Sequence, residues 1–518
     1  MKNSPTRTMT SKRIAVAVAA VCATLSAPSF AAGTDVKALM DLLLKKGVIS
    51  QQEYDQNIQA AAENEAFKEK RLASDVNKLN KAAEKSSKSG FVKGNGFGLE
   101  STDGQHSINL TGRVNFDARI KQNDFGNSAD INTASLANNF EVRRARIGFN
   151  GIVFKDINYE VITNAVGGNA NLIDTAFINY GFNKAAQVRV GRFKQAFGLE
   201  ELTSSNNIDF MERSYANQLT PGKRLGIMLH GEPIANMTYA ASIFQNGFNE
   251  LTNQNTNGRE ASGRVTYNFA EAAGLKDGVV HLGLAGTSGK LQVNATSSAN
   301  TSATASTTTR ATYVGFNSEN RGLSNIYRAQ IAGKVLSSAA FGGVSDDAVT
   351  VDKQMQGLES AIAYGPFKLQ SEYVKASFDA ISTVSTGTAD VSAGYAEVMY
   401  NVTGEKWSDS YKTGAFSGLK PNSNFTANGG TGAWQVGLRY SMFDVTDVVQ
   451  VGTNNRTQNS PKANTTTVGI NWLLNPNARV MLNYARTKFN EAVTPLDVTT
   501  TSSGLDENVI SLRTQINF

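Results

Sequence analysis

Ile108-Asn109-Leu110-Thr111-Gly112-Arg113-Val114-Asn115-Phe116-Asp117-Ala118-Arg119-Ile120-Lys121 sorts its side chains by parity. Ile108, Leu110, Val114, Phe116, Ala118 and Ile120 share one face. Asn109, Thr111, Arg113, Asn115, Asp117, Arg119 and Lys121 share the other. A period of two places successive side chains on opposite faces of a β-strand. A soluble sandwich also alternates, but here the polar face is heavily charged, and the pattern recurs along the chain. Val436, Leu438 and Tyr440 repeat it, as do Val468, Ile470 and Trp472, and Val480, Leu482 and Tyr484. Lipid outside and water inside demand such an alternation. A sheet in hydrocarbon must also close on itself, since an open edge leaves backbone groups without partners. The reading is an all-β transmembrane barrel.

Working outward, candidate strands begin near 106, 140, 156, 171, 186, 223, 237, 259, 278, 353, 367, 392, 433, 465, 479 and 508, which predicts 16 antiparallel strands. Tight connections such as Lys155-Asp156 and Asn475-Pro476-Asn477 alternate with long polar ones at 122–139, 194–222, 246–258, 288–352, 378–391, 444–464 and 490–507. With a periplasmic N-terminus these long loops face outward. Segment 404–432 is long yet falls on the periplasmic side, which leaves the count open by two. The chain ends in Ile510, Leu512, Thr514, Ile516 and Phe518 on one face, a closing strand of the kind outer-membrane barrels carry.

Upstream, the pattern changes. Residues 1–31 read as a signal peptide: Lys2, Arg7, Lys12 and Arg13 precede the apolar run Ile14 to Leu25, and Ser29-Phe30-Ala31 offers a cleavage site. The run falls short of the about 20 residues needed to span a bilayer. Residues 32–90 read as a periplasmic α-helical extension, and 91–518 as the barrel. Leu39, Leu42, Leu43 and Val48 form one helical face; Ser50 with Glu53 forms a capping box that starts a second helix. Leu72, Val76, Leu79 and Ala83 are spaced like a heptad seam, which Glu65 and Lys68 interrupt upstream. A trimeric coiled coil and a solvated spacer helix both fit.

Composition narrows the function. The one cysteine, Cys22, lies in the leader, so the mature chain uses neither disulfides nor thiols. Net charge is +6, and the four leader positives leave the remainder near +2. That is no basic footprint for nucleic acid. The three histidines, His106, His230 and His281, are far apart and show no metal-binding spacing. Gly94-Asn95-Gly96-Phe97-Gly98 precedes no helix, and no nucleophile elbow is present. No catalytic residue, metal or cofactor is predicted.

The basic residues carry more. Arg144 and Arg146 share the inward parity of their strand, as do Arg113, Arg119 and Arg189 on theirs. Guanidinium groups along a pore favour anions. Arg143 has lipid-side parity, which places it at the rim, at a bulge or against a neighbouring subunit. The loop 194–222 carries apolar residues at 197, 199, 202, 208, 210 and 211. They fit a loop folded inward onto the wall, or one packed over the rim.

At these residues the sequence resembles the phosphate-selective porins O and P. The matching stretches are Val142-Arg143-Arg144-Ala145, Gly191-Arg192-Phe193, Phe197-Gly198-Leu199-Glu200, Thr203-Ser204-Ser205 and Glu212-Arg213, then Val280-His281-Leu282-Gly283-Leu284, Thr403-Gly404-Glu405, Gly432-Ala433-Trp434 and Gly469-Ile470-Asn471-Trp472. They run in order from about residue 106 to the end. The resemblance implies a trimeric outer-membrane porin with 16 strands, an infolded third loop and anion transit along an arginine ladder. It implies roles for Arg113, Arg143, Arg144, the acid Asp174, Ser204, Ser205 and the loop arginine Arg213, with Glu200, Glu201 and Asn206 in the constriction loop.

Two positions depart from the family pattern. The phosphate-selective members carry lysine where this chain has Glu201 and Asn206. Lysine to glutamate changes local charge by two units, each worth roughly 4 kcal/mol at about 4 Å when the effective dielectric is about 20. That predicts a weak preference for small anions such as phosphate rather than tight selectivity. Broad diffusion of small hydrophilic solutes is the alternative. A structural tether of the outer membrane, touching the cell wall through the N-terminal helices, is a second class.

Overall fold

In a water-soluble protein the strands bury their apolar face; here they do the reverse. Phe116 is 42% exposed while its neighbour Asp117 is fully buried, and Leu438 is 47% exposed while Arg439 is 1% exposed. A computed structural model describes residues 40–87, 97–123, 138–166, 172–245, 258–292, 296–298, 307–323, 326–337, 350–381, 387–449, 458–493 and 504–518. The chain divides into two units, Met1–Lys88 and Ser89–Phe518.

Among the described residues of the second unit, 16 antiparallel strands close into a barrel. They are β1 Ser107–Asn123, β2 Asn139–Val153, β3 Ile157–Asn164, β4 Ile173–Gly181, β5 Gln187–Lys194, β6 Lys223–Gly231, β7 Met237–Gln245 and β8 Arg259–Asn268. There follow β9 Gly278–Gln292, β10 Thr350–Tyr364, β11 Phe367–Ile381, β12 Gly387–Asn401, β13 Ala433–Val449, β14 Lys462–Asn475, β15 Ala478–Val493 and β16 Gly504–Asn517. Each pairs with the next, and β1 pairs with β16 from Arg113 opposite Asn517 to Asn123 opposite Glu507. The seam is completed at the chain's end. Gly112 and Phe518 exchange backbone hydrogen bonds at 2.9 and 3.0 Å. A Cβ on Gly112 would lie 2.5 Å from the Phe518 ring, so glycine is needed there. Beyond that point the short strand Phe97–Glu100 pairs with Ser107–Leu110 on the same edge of β1.

All sixteen expected strands are present. The connection 402–432, which contains the segment 404–432 that left the count open, does not cross the wall. Its one turn of 3₁₀ helix, Trp407–Ser410, and its hairpin, Tyr411–Lys412 with Ala415–Phe416, carry buried Trp407 and Phe416 against wall residues.

Wall height is uneven. Strands β9 to β16 have 14 to 17 residues. β3 and β5 have 8, and β4, β6 and β7 have 9. At about 3.3 Å per residue and a tilt of about 40°, an eight-residue strand rises only about 20 Å.

In the first unit, residues 40–45 are helical and α1 spans Gln51–Ser87. Ser50 and Glu53 form the expected reciprocal cap: the Ser50 N–H donates to Glu53 Oε2 at 2.9 Å, and the Glu53 N–H to Ser50 Oγ at 3.3 Å. Leu72 and Val76 are exposed. The expected leader 1–31 and the side chains of Leu79 and Ala83 lie outside the described residues.

Candidate functional site

Between β5 and β6 the chain does not run along the rim but into the barrel. Gly198, at φ 77°, turns it into the short helix Leu199–Leu202. The N–H groups of Leu199 and Glu200 donate to the Glu372 carboxylate of β11 at 2.9 and 2.5 Å, which supplies acceptors to the open helix start. Apolar loop residues seat on the wall. Phe197 lies against Gly357 of β10 and Phe210 against Gly469 of β14, each where a Cβ would come within 3.0 Å of the ring. The Tyr215 hydroxyl bonds Thr465 at 3.0 Å, and its ring meets Phe443 and Phe316 edge-on.

Charged bonds complete the anchorage. Arg213 donates to the carbonyls of Glu200, Glu201 and Thr203 at 3.0, 3.2 and 2.8 Å. Glu212 accepts from Arg143 at 2.9 and 3.1 Å, from Arg119 at 3.1 Å and from Arg513 at 2.9 Å. Burial pushes the Glu212 carboxyl up, but Arg143 and Arg513 outweigh it and hold the group well below the usual carboxylate range.

Two further segments enter. Lys368 of β11 pairs with Asp209 of the third loop and sits 4.3 Å from the Trp407 ring and 4.5 Å from the Phe416 ring, so one cation joins the loop to segment 402–432. From the loop after β9, Glu319 pairs with Arg439, Ser318 donates to Glu507 at 3.2 Å, and Phe316 stacks on Phe443. The inner faces of β9 to β16 are thus largely covered.

The open space lies along β1 to β8. It is a cavity of about 910 Å³. Its cations are Arg113, Arg144, Arg146, Arg189, Lys194, Arg213, Lys223, Arg264 and Lys412; its acids are Glu160, Asp174, Glu201 and Glu232. Asp174 is shared by Arg146, at 2.8 Å, and Lys223. Arg189 lies over the Phe177 ring at 4.4 Å and donates to Asn179 at 3.3 Å. Arg113 donates to Ser205 Oγ at 2.7 Å and Asn206 Oδ1 at 2.6 Å, which ties β1 to the loop. Arg144 differs: its Nη1 is buried without a hydrogen-bond partner among the described atoms. A buried donor left unsatisfied costs about 1–3 kcal/mol, more when charged, so this guanidinium favours an anion or water beside it.

Of the residues singled out in the sequence, Arg113, Arg144, Arg146, Arg189, Arg213, Asp174, Glu201, Ser204, Ser205 and Asn206 line this cavity. Arg119, Arg143 and Glu200 do not; Arg119 is buried among Asp117, Glu141 and Glu212. Asn115 pairs with Arg144 and Phe116 with Val142, so Arg143 is the extra residue of a β-bulge and is spent on Glu212. Glu200 turns away to accept from Ser214 Oγ at 2.6 Å and Arg439 at 3.2 Å. Glu201 is not a bare charge. Arg213 at 3.3 Å, Lys194 at 3.9 Å and the Asn217 amide at 2.8 Å surround it, so its field in the cavity is smaller than the two-unit argument assumed. Lys223, Arg264, Glu160 and Lys412 were missed. Strand parity alone would have found Arg264 and Glu160; nothing local marks Lys412.

The profile of the family Phosphate-selective porin O and P matches residues 114–518. Porin O of Pseudomonas aeruginosa is 28% identical over 416 residues, covering 76% of this chain and 85% of that protein. An uncharacterized protein of Caulobacter vibrioides is 25% identical over 362 residues, covering 68% and 64%. Among solved structures, the outer membrane channel DcaP of Acinetobacter baumannii shares 12% identity with a TM-score of 0.44, over 81% of this chain and 99% of that one. Barrel, infolded loop and family match lead to one assignment: the chain is an outer-membrane porin and belongs to the phosphate-selective porin O and P family.

Proposed function

We propose that the cavity is the conduit of a passive pore with a weak preference for small anions, phosphate among them. The observation that carries the reading is the surplus of cations on one side of the lumen, where Arg144 Nη1 has no hydrogen-bond partner among the described residues. Pairing of Asp174 and Glu201 to neighbouring cations blunts the field, which favours weak binding and quick release over tight capture. The reversal potential of the full-length porin in a potassium chloride gradient tests it. Anion-selective current supports the reading. Equal permeabilities leave a broad diffusion pore, and no current leaves the tether.

The same reading includes a homotrimer. The low wall from β3 to β7 is shorter than the about 25 Å apolar band of an outer-membrane barrel. On its outer face exposed Val190, Ile178 and Ile227 stand abreast. An apolar arc too low to fill the lipid band suits a neighbouring subunit. Helix α1, with Leu72 and Val76 exposed, suits a trimeric coiled coil on the periplasmic side that reaches the cell wall.

A further inference from the structure

The outer face of the tall wall changes character along its height. Ile470, Leu482 and Leu512 lie abreast across β14 to β16, and Val468, Tyr484 and Ile510 lie abreast one step nearer the long loops. Both rows are apolar except for the Tyr484 hydroxyl, which donates to Asn508 at 3.0 Å. A tyrosine at the edge of the apolar band marks the membrane–water interface. The next step brings Arg486 between Thr466 and Asn508, and the one after brings Lys488 between Asn464 and Asp506. Lys462 stands at the same end of β14. All three cations are exposed, while Thr487 and Phe489 between and beyond them are buried. Parity therefore aims the cations outward, away from the lumen.

Two of the cations have partners. Lys462 lies 2.7 Å from Asp444 and Arg486 lies 2.9 Å from Asp506, and these four side chains keep between 31% and 49% of their surface exposed. Such exposed pairs contribute little and are readily exchanged. Lys488 has no ion pair among the described residues. Three cations against two acids leave one positive charge, so the patch fits a single phosphate rather than a broad anionic surface. The opposite end of the same wall carries none of this: Trp434, Trp472 and Ile516 face outward there, without charge. In barrels of this kind the long loops are extracellular, so the cations stand at the edge of the outer leaflet alone. In an outer membrane that leaflet is made of lipopolysaccharide, whose sugar headgroup is phosphorylated. A phospholipid of the inner leaflet would need its cations at the other end.

We infer that Lys462, Arg486 and Lys488 form a docking site for lipopolysaccharide. The Arg486 fork and the two ammonium groups take a headgroup phosphate. The acyl chains lie below it on Tyr484, Leu482 and Leu512. None of these residues lines the cationic cavity, so the inference stands apart from the conduit reading.

The test uses the full-length porin, freed of lipid in detergent. It is titrated with bisphosphorylated lipid A, with the dephosphorylated form and with phosphatidylglycerol, and bound lipid is counted by native mass spectrometry. Lipid A is expected to bind at least about tenfold more tightly than either of the others. Lys462→Gln, Arg486→Gln and Lys488→Gln combined are expected to abolish that preference. Lys488→Gln alone, which removes no ion pair within the protein, is expected to weaken lipid A binding at least about threefold. Lys290→Gln, at an exposed lysine of β9 that lies 3.3 Å from Asp352, is expected to leave it unchanged. Equal binding of the dephosphorylated form overturns the phosphate site and leaves only an apolar wall. Equal binding of phosphatidylglycerol overturns the assignment to lipopolysaccharide. Unchanged lipid A affinity in Lys488→Gln and in the triple variant removes these residues from it.

Discussion

Arg143 Nε and Nη2 grip the two oxygens of Glu212 at 2.9 and 3.1 Å, a bidentate bond between a bulge in β2 and the third loop. The guanidinium with the wrong parity for the lumen becomes the loop's fastening. Arg119 and Arg513 converge on the same carboxylate. Removing one member of such a buried set leaves the others uncompensated.

Glu212→Gln should therefore destabilise the barrel by about 3–5 kcal/mol, read by unfolding in detergent. Its single-channel current should also be noisier as the loop loosens. A variant as stable and quiet as the wild type would show that the loop is held elsewhere.

The same bond sets a pH dependence. The folded Glu212 carboxyl is held well below its ordinary value, so its contribution is fully present above about pH 4.5 and is lost as pH falls toward the depressed folded value. Wild-type stability should fall through that acid window, and Glu212→Gln should lack this part of the fall. Parallel acid profiles for the two proteins would contradict it.

Arg144 and Arg143 are adjacent in sequence yet differ in role. Arg144→Ala should lower anion preference with a smaller loss of stability than Arg143→Ala, since Arg143 makes two hydrogen bonds to Glu212 and Arg144 Nη1 makes none. Arg143→Ala should do the reverse, lowering stability with a smaller change in reversal potential. The two measurements on the two variants form a crossed comparison.

Glu201→Lys would leave Arg213 held by three carbonyls while adding a cation to the conduit. Phosphate block of chloride current should strengthen, at least about threefold in half-blocking concentration, or roughly 0.7 kcal/mol. Unchanged block would remove this side chain from the anion path.

If the low arc joins subunits, Val190→Cys on β5 should form inter-subunit disulfides on oxidation in outer membranes. Leu482→Cys on the tall wall should stay monomeric on a denaturing gel. Equal cross-linking at both positions would disperse the interface.

Much of the barrel was legible because lipid and water impose the parity of every strand. The largest offsets in strand starts are few: 392 against Gly387, and 508 against Gly504. The bulge at Arg143 was legible only as one of three options, beside the rim and a neighbouring subunit, since one inserted residue reverses parity without a local signature. Pairings such as Asp117 with Arg513, 2.7 Å apart, join residues from opposite ends of the chain. Only closure brings them together. The length of 402–432 was visible, but its direction depends on Lys368, Arg264 and His281 on other strands.

Two wall glycines, Gly357 and Gly469, receive the rings of Phe197 and Phe210. The third loop therefore rests in sockets on one half of the cylinder, while most of the charges lining the cavity stand on the other. On the conduit reading, bore and sign would be governed by largely separate sets of residues. Enlarging a socket residue would push the loop across the opening without altering a single charge, so permeation rate and ionic taste can drift independently among descendants of this chain.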